Sequence, residues 1–538
     1  MQAKRLFAGL LSAVMLMTLL PVSASAAEYT PPALPDAFQG DGLYITATPL
    51  ELEDGWTVDG TASFHDGYIK VSRMESMRDS HGYLINSYEI YNLADRNGNI
   101  VLDYSGVRPT ELYYGDGMCL FYDELTQLWG YMDMTGDVVI EPQFAEANVF
   151  SDGLAAVKVQ ATEENPYPYG ENRYYIDKNG NKVLGPYSWY SELGFFSDGL
   201  APVEILDFEG EDDNFCGYIN KQGRAEITLH RGVGSAKRDQ SLMLFGLDNK
   251  NPYDLSSRFS EGYAILADSR GDRRYPAYVV IDTEGNEVGR IDPDAPMKAE
   301  PKSVVHDGLI VMDFTNTEGG SGGGIGAVDI HGNIVIELGT NIDVYGTYFD
   351  SGVARGSGGS MVVDKQGNTV IPNSFTSVVG VDTDTLLAEV RTAYNSQSVV
   401  VDFGMAVSPF NEGLALCTVN MRFNGMSDVG QWHYVLEVHE GTYTGGGKVY
   451  NAATGQVTGG GSTPTDPGTP TEPTGDTPSS WAVENVNTAV EAGIVPETLQ
   501  SAYTQATTRA EFCALAVELY ETVMGTEITE RATFSDTT

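Results

Sequence analysis

Eight variants of one short phrase run through this 538-residue chain, and their spacing constrains the fold more than any other feature. Phe150-Ser-Asp-Gly-Leu-Ala-Ala-Val157 returns as Phe196-Ser-Asp-Gly-Leu-Ala-Pro-Val203, Phe259-Ser-Glu-Gly-Tyr-Ala-Ile-Leu266 and Phe410-Asn-Glu-Gly-Leu-Ala-Leu-Cys417. Weaker copies lie at His65-Asp-Gly, Gly115-Asp-Gly, His306-Asp-Gly and Asp350-Ser-Gly, where His65 and His306 read as replacements for the Phe. The turn glycines are Gly67, Gly117, Gly153, Gly199, Gly262, Gly308, Gly352 and Gly413, so the gaps run from 36 to 63 residues. A period near the mid-forties means one supersecondary unit copied many times. Copied units supply surface more readily than a single evolved catalytic centre.

A second phrase follows the first in most units: Trp129-Gly-Tyr-Met-Asp-Met-Thr-Gly-Asp-Val-Val-Ile140, Tyr175-Ile-Asp-Lys-Asn-Gly-Asn181, Val280-Ile-Asp-Thr-Glu-Gly-Asn286, Val362-Val-Asp-Lys-Gln-Gly-Asn368. An apolar run, Asp-x-x-Gly and another apolar run describe a hairpin. Asp opens a type I turn, and Gly takes the left-handed residue that closes it with a bulge. Each unit therefore predicts three or four short strands. Phe150, Phe196, Phe259 and Phe410 are expected at equivalent core positions, with Leu154, Leu200 and Leu414 packed beside them.

These phrases resemble the bacterial WG-containing repeats, although only Trp129-Gly130 keeps the namesake dipeptide. The resemblance implies an all-β repeat array over residues 60–457, either a propeller-like ring or an open β-hairpin stack. It implies a binding or scaffolding surface and carries over no catalytic residue.

The chain opens with Lys4-Arg5, an apolar stretch from Leu6 to Leu20 and Ala24-Ser-Ala26, the pattern of a secretory signal over residues 1–27. Residues 28–59 read as an N-terminal extension. The mature protein is expected to be exported, extracellular and free of the membrane. A net charge of −44 argues against nucleic-acid partners, which require clustered Lys and Arg.

The four cysteines, Cys119, Cys216, Cys417 and Cys513, show no metal spacing. They read either as free buried thiols or as including a Cys119–Cys216 bridge. The seven histidines, among them His433 and His439 six residues apart, form no metal motif. Asp95-Arg-Asn-Gly-Asn99 and Asp177-Lys-Asn-Gly-Asn181 place Gly fourth, which suits a turn rather than a calcium loop. Arg270-Gly-Asp272 sits at a polar hairpin tip and reads as a chance match to an adhesive tripeptide. No nucleophile elbow, zinc-protease motif or phosphate loop is present, so the expectation is a chain without catalytic residues, metal or cofactor.

Residues 458–479 are rich in Gly, Pro and Thr, a linker composition. Beyond it the period turns helical. Val483, Val486, Ala489 and Val490 mark one face, and Phe512, Leu515, Ala516 and Leu519 a second. Thr508-Arg-Ala-Glu511 reads as a capping box. With Trp481-Ala, Ala489-Val-Glu-Ala-Gly-Ile-Val495 and Phe534-Ser-Asp536, residues 480–538 resemble a surface-layer homology (SLH) domain, one copy and the start of a second.

That resemblance implies a small all-α helix–loop–helix module binding secondary cell-wall polysaccharide, acidic or pyruvylated. Trp481, Thr508, Arg509 and Glu511 are the candidate binding residues. Arg509 in a first helical turn would offer an anion its guanidinium beside free helix N–H groups. Trp481 would stack on a sugar, or else serve only as core packing. The expected function is a wall-anchored surface protein displaying a β-repeat domain for an unknown protein or glycan ligand. The alternatives are a secreted carbohydrate-active enzyme and a structural surface-layer component.

Overall fold

The computed structural model describes residues 29–53, 55–58, 62–78, 83–104, 109–160, 171–188, 190–206, 214–231, 242–247, 256–268, 277–292, 297–316, 324–337, 348–394, 400–423 and 428–459. The chain divides into two compact units, Met1–Gly459 and Gly460–Thr538, and the described residues all belong to the first.

Strands follow the repeat. Unit 4 is typical: Glu192–Leu193, Leu200–Ile205, Phe215–Asn220 and Ala225–Arg231 form an antiparallel sheet in sequence order. Unit 5 (Leu242–Met243, Tyr263–Asp268, Ala277–Asp282, Glu287–Ile291) and unit 6 (Met297–Pro301, Leu309–Asn316, Gly324–Asp329, Ile334–Ile336) repeat it. Units 1 and 7 keep three strands each, Thr57–Val58, Tyr68–Arg78 and Leu84–Asp95 in unit 1, and Val353–Arg355, Val362–Asp364 and Thr369–Ile371 in unit 7. Units 2 and 3 share Val138–Ala147, whose first half pairs with Leu128–Asp133 and whose second half pairs with Ala155–Val159.

The eighth unit decides between ring and stack. Val401–Val407, Leu414–Phe423 and Asp428–Glu440 are joined by Leu43–Leu50, which pairs antiparallel with Asp428–Glu440 from Leu43↔Glu440 to Leu50↔His433. A strand from the start of the repeat region thus completes the last sheet, and the ring closes. Ala37–Gln39 adds to that strand and pairs in parallel with Val449–Asn451. The span read as an N-terminal extension supplies the closing strand.

The Phe positions behave as expected: Phe150, Phe196, Phe259 and Phe410 are all fully buried. Their Leu companions do not pack beside them. Leu154 shares a core with Phe196, Leu200 with Phe259 and Leu414 with Phe64, in each case the Phe of the following unit. The phrase straddles a boundary, its Phe facing backward and its Leu forward. Register also corrects the histidines. Phe64 and Val305 fill the core positions, so His65 and His306 stand where Ser151 stands, not where Phe150 does.

The namesake glycine of the second phrase has a steric reason. A Cβ on Gly130 would lie 2.8 Å from the Ile140 carbonyl oxygen, and one on Gly217 would lie 2.1 Å from that of Ile227. The neighbouring strand passes where a side chain would begin, a close approach reserved for glycine.

The expected C-terminal all-α module is corrected. The α-helices of the described chain are Phe375–Val379 and Thr383–Ala393, both inside the β-repeat span between units 7 and 8. Asp382 caps the second by accepting from the Thr385 N–H, and Leu386 and Val390 turn one face inward. Residues 480–538, and with them the helical faces read from sequence, lie outside the described residues. Cys119, Cys216 and Cys417 are buried thiols outside any disulfide, which excludes the Cys119–Cys216 bridge. No helix among the described residues is long and apolar enough to cross a membrane.

Candidate functional site

The phrase turns are the chemically richest feature of the ring. Asp152 has φ 53° and Gly153 φ 84°, and the same pair of positive values recurs at all eight turns. Positive φ at both central residues defines the type I′ hairpin turn, which Asp and Gly tolerate and bulky residues do not.

At seven of the eight boundaries an acid accepts a hydrogen bond from the turn backbone of the unit that follows; among the described residues Asp66 of unit 1 makes no such bond to unit 2. Asp116 accepts from the Gly153 N–H at 2.6 Å, Asp152 from Gly199 at 2.8 Å and Asp198 from Gly262 at 2.8 Å. Glu261 is longer and takes two, from Asp307 at 2.7 Å and Gly308 at 2.9 Å. Asp307 accepts from Gly352 at 2.6 Å. Unit 7 carries Ser351 in the acid position, and Asp350, one residue earlier, takes over by accepting from Glu412 and Gly413 at 3.1 and 2.6 Å. Glu412 then accepts from Asp66 and Gly67, both at 3.1 Å, which returns the circuit to unit 1.

Lysines reinforce the circuit from the same direction. Lys178, in the Asp-x-x-Gly hairpin of unit 3, reaches Asp116 Oδ1 at 2.9 Å, and Lys221 of unit 4 reaches Asp152 Oδ1. Lys365 of unit 7 donates to the Asp307 carbonyl at 3.1 Å and lies 3.5 Å from its carboxylate. Unit 2 places Met134 where these units place Lys, and Asp66 Oδ2 is buried with no hydrogen-bond partner among the described residues. Glu412 is held above the ordinary carboxylate range, chiefly by burial and then by the charge on Asp66.

The Asp-x-x-Gly-Asn hairpins are saturated turns, not cation loops. Asp177 Oδ1 accepts from the N–H groups of Asn179 and Asn181 at 3.0 and 2.9 Å, and its Oδ2 accepts from the Asn181 side chain at 2.9 Å. Among the described residues no three His, Cys, Asp or Glu side chains gather as metal ligands.

A different surface spans units 1 and 2. The Arg73 guanidinium lies 4.6 Å from the Trp56 ring, and Lys70 Nζ lies 4.9 Å from Tyr91 and 5.9 Å from Tyr113. Tyr113 and Tyr122 pack on Trp129, the namesake residue of the repeat, which is itself buried. Half-buried aromatic faces beside cations suit sugar rings and acidic groups. The candidates Trp481, Thr508, Arg509 and Glu511, like Arg270-Gly-Asp272, lie outside the described residues.

The WG containing repeat family matches residues 129–160 and 175–207. The chain carries WG-containing repeats. Both matches cross a unit boundary, each running from the Trp-Gly-Tyr position of one unit to the Gly-Leu-Ala strand of the next, which is the junction that the turn circuit ties. No surface-layer homology match accompanies them.

No curated protein matches the sequence. Among solved structures the chain is similar to Porphyromonas gingivalis dipeptidyl peptidase 4, at 12% identity over 73% of this chain and 65% of that one, with TM-score 0.32. It is also similar to a Pyrococcus horikoshii acylaminoacyl peptidase (8% identity, 70% and 58% covered, TM-score 0.34). A Dyadobacter fermentans protein of unknown function matches at 10% identity, 73% and 98% covered, TM-score 0.22. The chain spans 65% and 58% of the two peptidases it matches. The expectation of a chain that is not an enzyme is corrected at this point, because two of these proteins are named as peptidases. At such identity and TM-scores the likeness assigns no activity.

Proposed function

We propose that this is an exported surface protein whose closed eight-unit ring is a rigid binding platform, held at the cell wall through the sequence beyond residue 479. The run of acid-to-backbone bonds from unit 2 round to unit 1 carries the reading: it ties seven of the eight unit boundaries and so holds the units in a constant arrangement. A surface held rigid before contact loses less conformational freedom on binding. The secretory pattern at residues 1–27, the Gly/Pro/Thr linker at 458–479 and the resemblance of 480–538 to wall-binding sequence support export and attachment. The partner of that segment would be an acidic or pyruvylated secondary cell-wall polysaccharide, recognised through Trp481 and Arg509. The ring's own ligand is a glycan or protein, for which the Trp56–Arg73 and Lys70–Tyr91–Tyr113 surface is the candidate face.

The test uses the full chain. Co-sedimentation with purified wall sacculi should occur, weaken with salt as exposed charge contacts are screened, and fall with Arg509→Ala. Failure to sediment removes the wall-binding reading. A glycan and peptide array, repeated with Tyr113→Ala, then tests the ring: a hit unchanged by that substitution would remove this surface as the ligand site.

A further inference from the structure

Three histidines with no part in the turn circuit or the aromatic surface lie along the joint that closes the ring. His65 lies on the first turn of unit 1, and His433 and His439 lie on Asp428–Glu440, the strand that receives Leu43–Leu50. His433 pairs in register with Leu50, and its Nδ1 is 3.0 Å from Thr418 Oγ1. His439 Nε2 is 3.1 Å from Thr46 Oγ1 on the closing strand, and its ring stacks on Tyr44 at 4.8 Å. All three therefore sit where unit 8 meets the closing strand and unit 1.

Hydrogen-bond counting fixes the charge state of His65. Asn411 of unit 8 is buried, and its side-chain amide donates to the Phe64 carbonyl at 3.0 Å. That orientation points the same NH2 group at His65 Nδ1, 2.6 Å away. Nδ1 must therefore accept. The proton resides on Nε2, which donates to Ser63 Oγ at 2.9 Å. A second proton on Nδ1 would set donor against donor. Turning the amide over would instead set its oxygen against the Phe64 carbonyl. Neither orientation satisfies both neighbours once the ring is charged. The corresponding contact between units 3 and 4 uses Ser151 Oγ donating to the Phe196 carbonyl at 2.7 Å and has no titrating partner.

We propose that the joint closing the ring is a proton-operated latch: protonation of His65 and His433 loosens Leu43–Leu50 and unit 1 from unit 8 while the boundary between units 3 and 4 stays closed. Burial pushes the His65 imidazole down to about 4, and burial also lowers His433. The sign follows from linkage. The folded joint holds His65 neutral, so the unfolded state binds more protons below its ordinary value of about 6.5. The stabilisation is full above that pH, declines as pH falls from about 6.5 and is gone below about 4. The charged and titratable groups around the joint are Asp66, Asp350 and Glu412 on the turns, the Arg96–Glu437 pair at 3.3 Å, Glu440, and the phenols of Tyr44, Tyr114 and Tyr434. Carboxylates of this kind occur at every boundary, and units 3 and 4 therefore provide an internal control.

Hydrogen exchange on the full chain at a series of pH values from 7.5 to 4.5, corrected for intrinsic rates, reads the latch directly. Protection of Leu43–Leu50 and of the facing strand should fall at least tenfold over that interval, with Phe215–Asn220 little changed. The His65→Ser/His433→Gln variant should keep its protection at pH 4.5. Uniform loss across units, no loss at the joint, or a pH response that survives in the folded variant would each overturn the proposal. If the variant does not fold, the comparison of the joint with unit 4 in the parent chain still decides.

Discussion

Tyr175 of unit 3 and Phe196 of unit 4 meet edge to face, ring centroids 4.8 Å apart at 68°, and the Tyr175 hydroxyl donates to the Gly194 carbonyl at 2.7 Å. The relationship repeats. Tyr131 meets Phe150 at 4.9 Å and donates to the Asn148 carbonyl, and Tyr218 meets Phe259 at 4.9 Å and donates to the Ser257 carbonyl. The Tyr of one unit's second phrase thus packs on the Phe of the next unit's first phrase and binds the backbone two residues before it. The two recurring phrases are the two halves of a single boundary.

This pair gives two graded losses. Phe196→Ala should cost about 3–5 kcal/mol, the range for emptying a fully buried aromatic site. Tyr175→Phe keeps the ring and strands the buried Gly194 carbonyl, for about 1–3 kcal/mol. Urea unfolding of both variants against the parent measures the order; equal losses would mean that the hydroxyl, not the ring, carries the boundary.

The turn circuit predicts a gain. Met134→Lys should place an ammonium beside Asp66, as Lys178 lies beside Asp116, and raise stability by about 0.2–1 kcal/mol, the range for part-exposed pairs. Lys221→Met should do the reverse at Asp152. A thermal shift of opposite sign in the two variants is expected, and the gain should shrink in high salt. Destabilisation by Met134→Lys would show that Asp66 is not open to a cation.

Thiol accessibility separates the buried cysteines from a bridge. Burial pushes the Cys119 and Cys417 thiols up to about 12, so little thiolate exists at neutral pH. Native protein treated with an alkylating reagent at pH 8 should leave Cys119, Cys216 and Cys417 unmodified by peptide mass spectrometry, whereas denatured protein should be alkylated at all three. Resistance after denaturation without reductant would reveal a disulfide.

Local geometry is legible in the sequence and long-range partnership is not. The Asp-x-x-Gly-Asn hairpins and the buried Phe positions can be read because a turn's hydrogen bonds close within four or five residues. The acid-to-backbone bonds span 37 to 64 residues between successive units and about 345 where Glu412 returns to unit 1, and nothing in a single phrase says that its acid serves the next one. The regular acid before each glycine is the available signal, blurred in unit 7 by the shift to Asp350. His65 reads one residue out of place because Phe64 precedes a phrase whose Ser is replaced by His. The closing strand Leu43–Leu50 carries no repeat motif, since its task is to complete another unit's sheet. The helix Thr383–Ala393 has a readable cap in Asp382 and an inward pair in Leu386 and Val390, masked by its position inside a β-repeat period.

Acid sensitivity of the hairpins can be isolated by an exchange the chain already makes. Asp177 and Asp282 are held below the ordinary carboxylate range, first by the side chains of Asn181 and Asn286 and then by backbone N–H groups. A folded value lowered below the unfolded one gives stability that is present above about pH 3.9 and lost as pH falls through the folded value. Unit 4 places Asn220 at the same position, where its Oδ1 accepts from the Gln222 and Arg224 N–H groups at 2.9 and 3.0 Å without titrating. Asp177→Asn/Asp282→Asn should therefore fold normally and be less stable than the parent at pH 7. The difference should narrow as pH falls from 5 to 2, because the parent loses its charge-assisted bonds and the variant has none to lose. Urea titrations at each pH measure it. A gap that stays constant across that interval would show that the turn carboxylates hold the hairpins by shape alone.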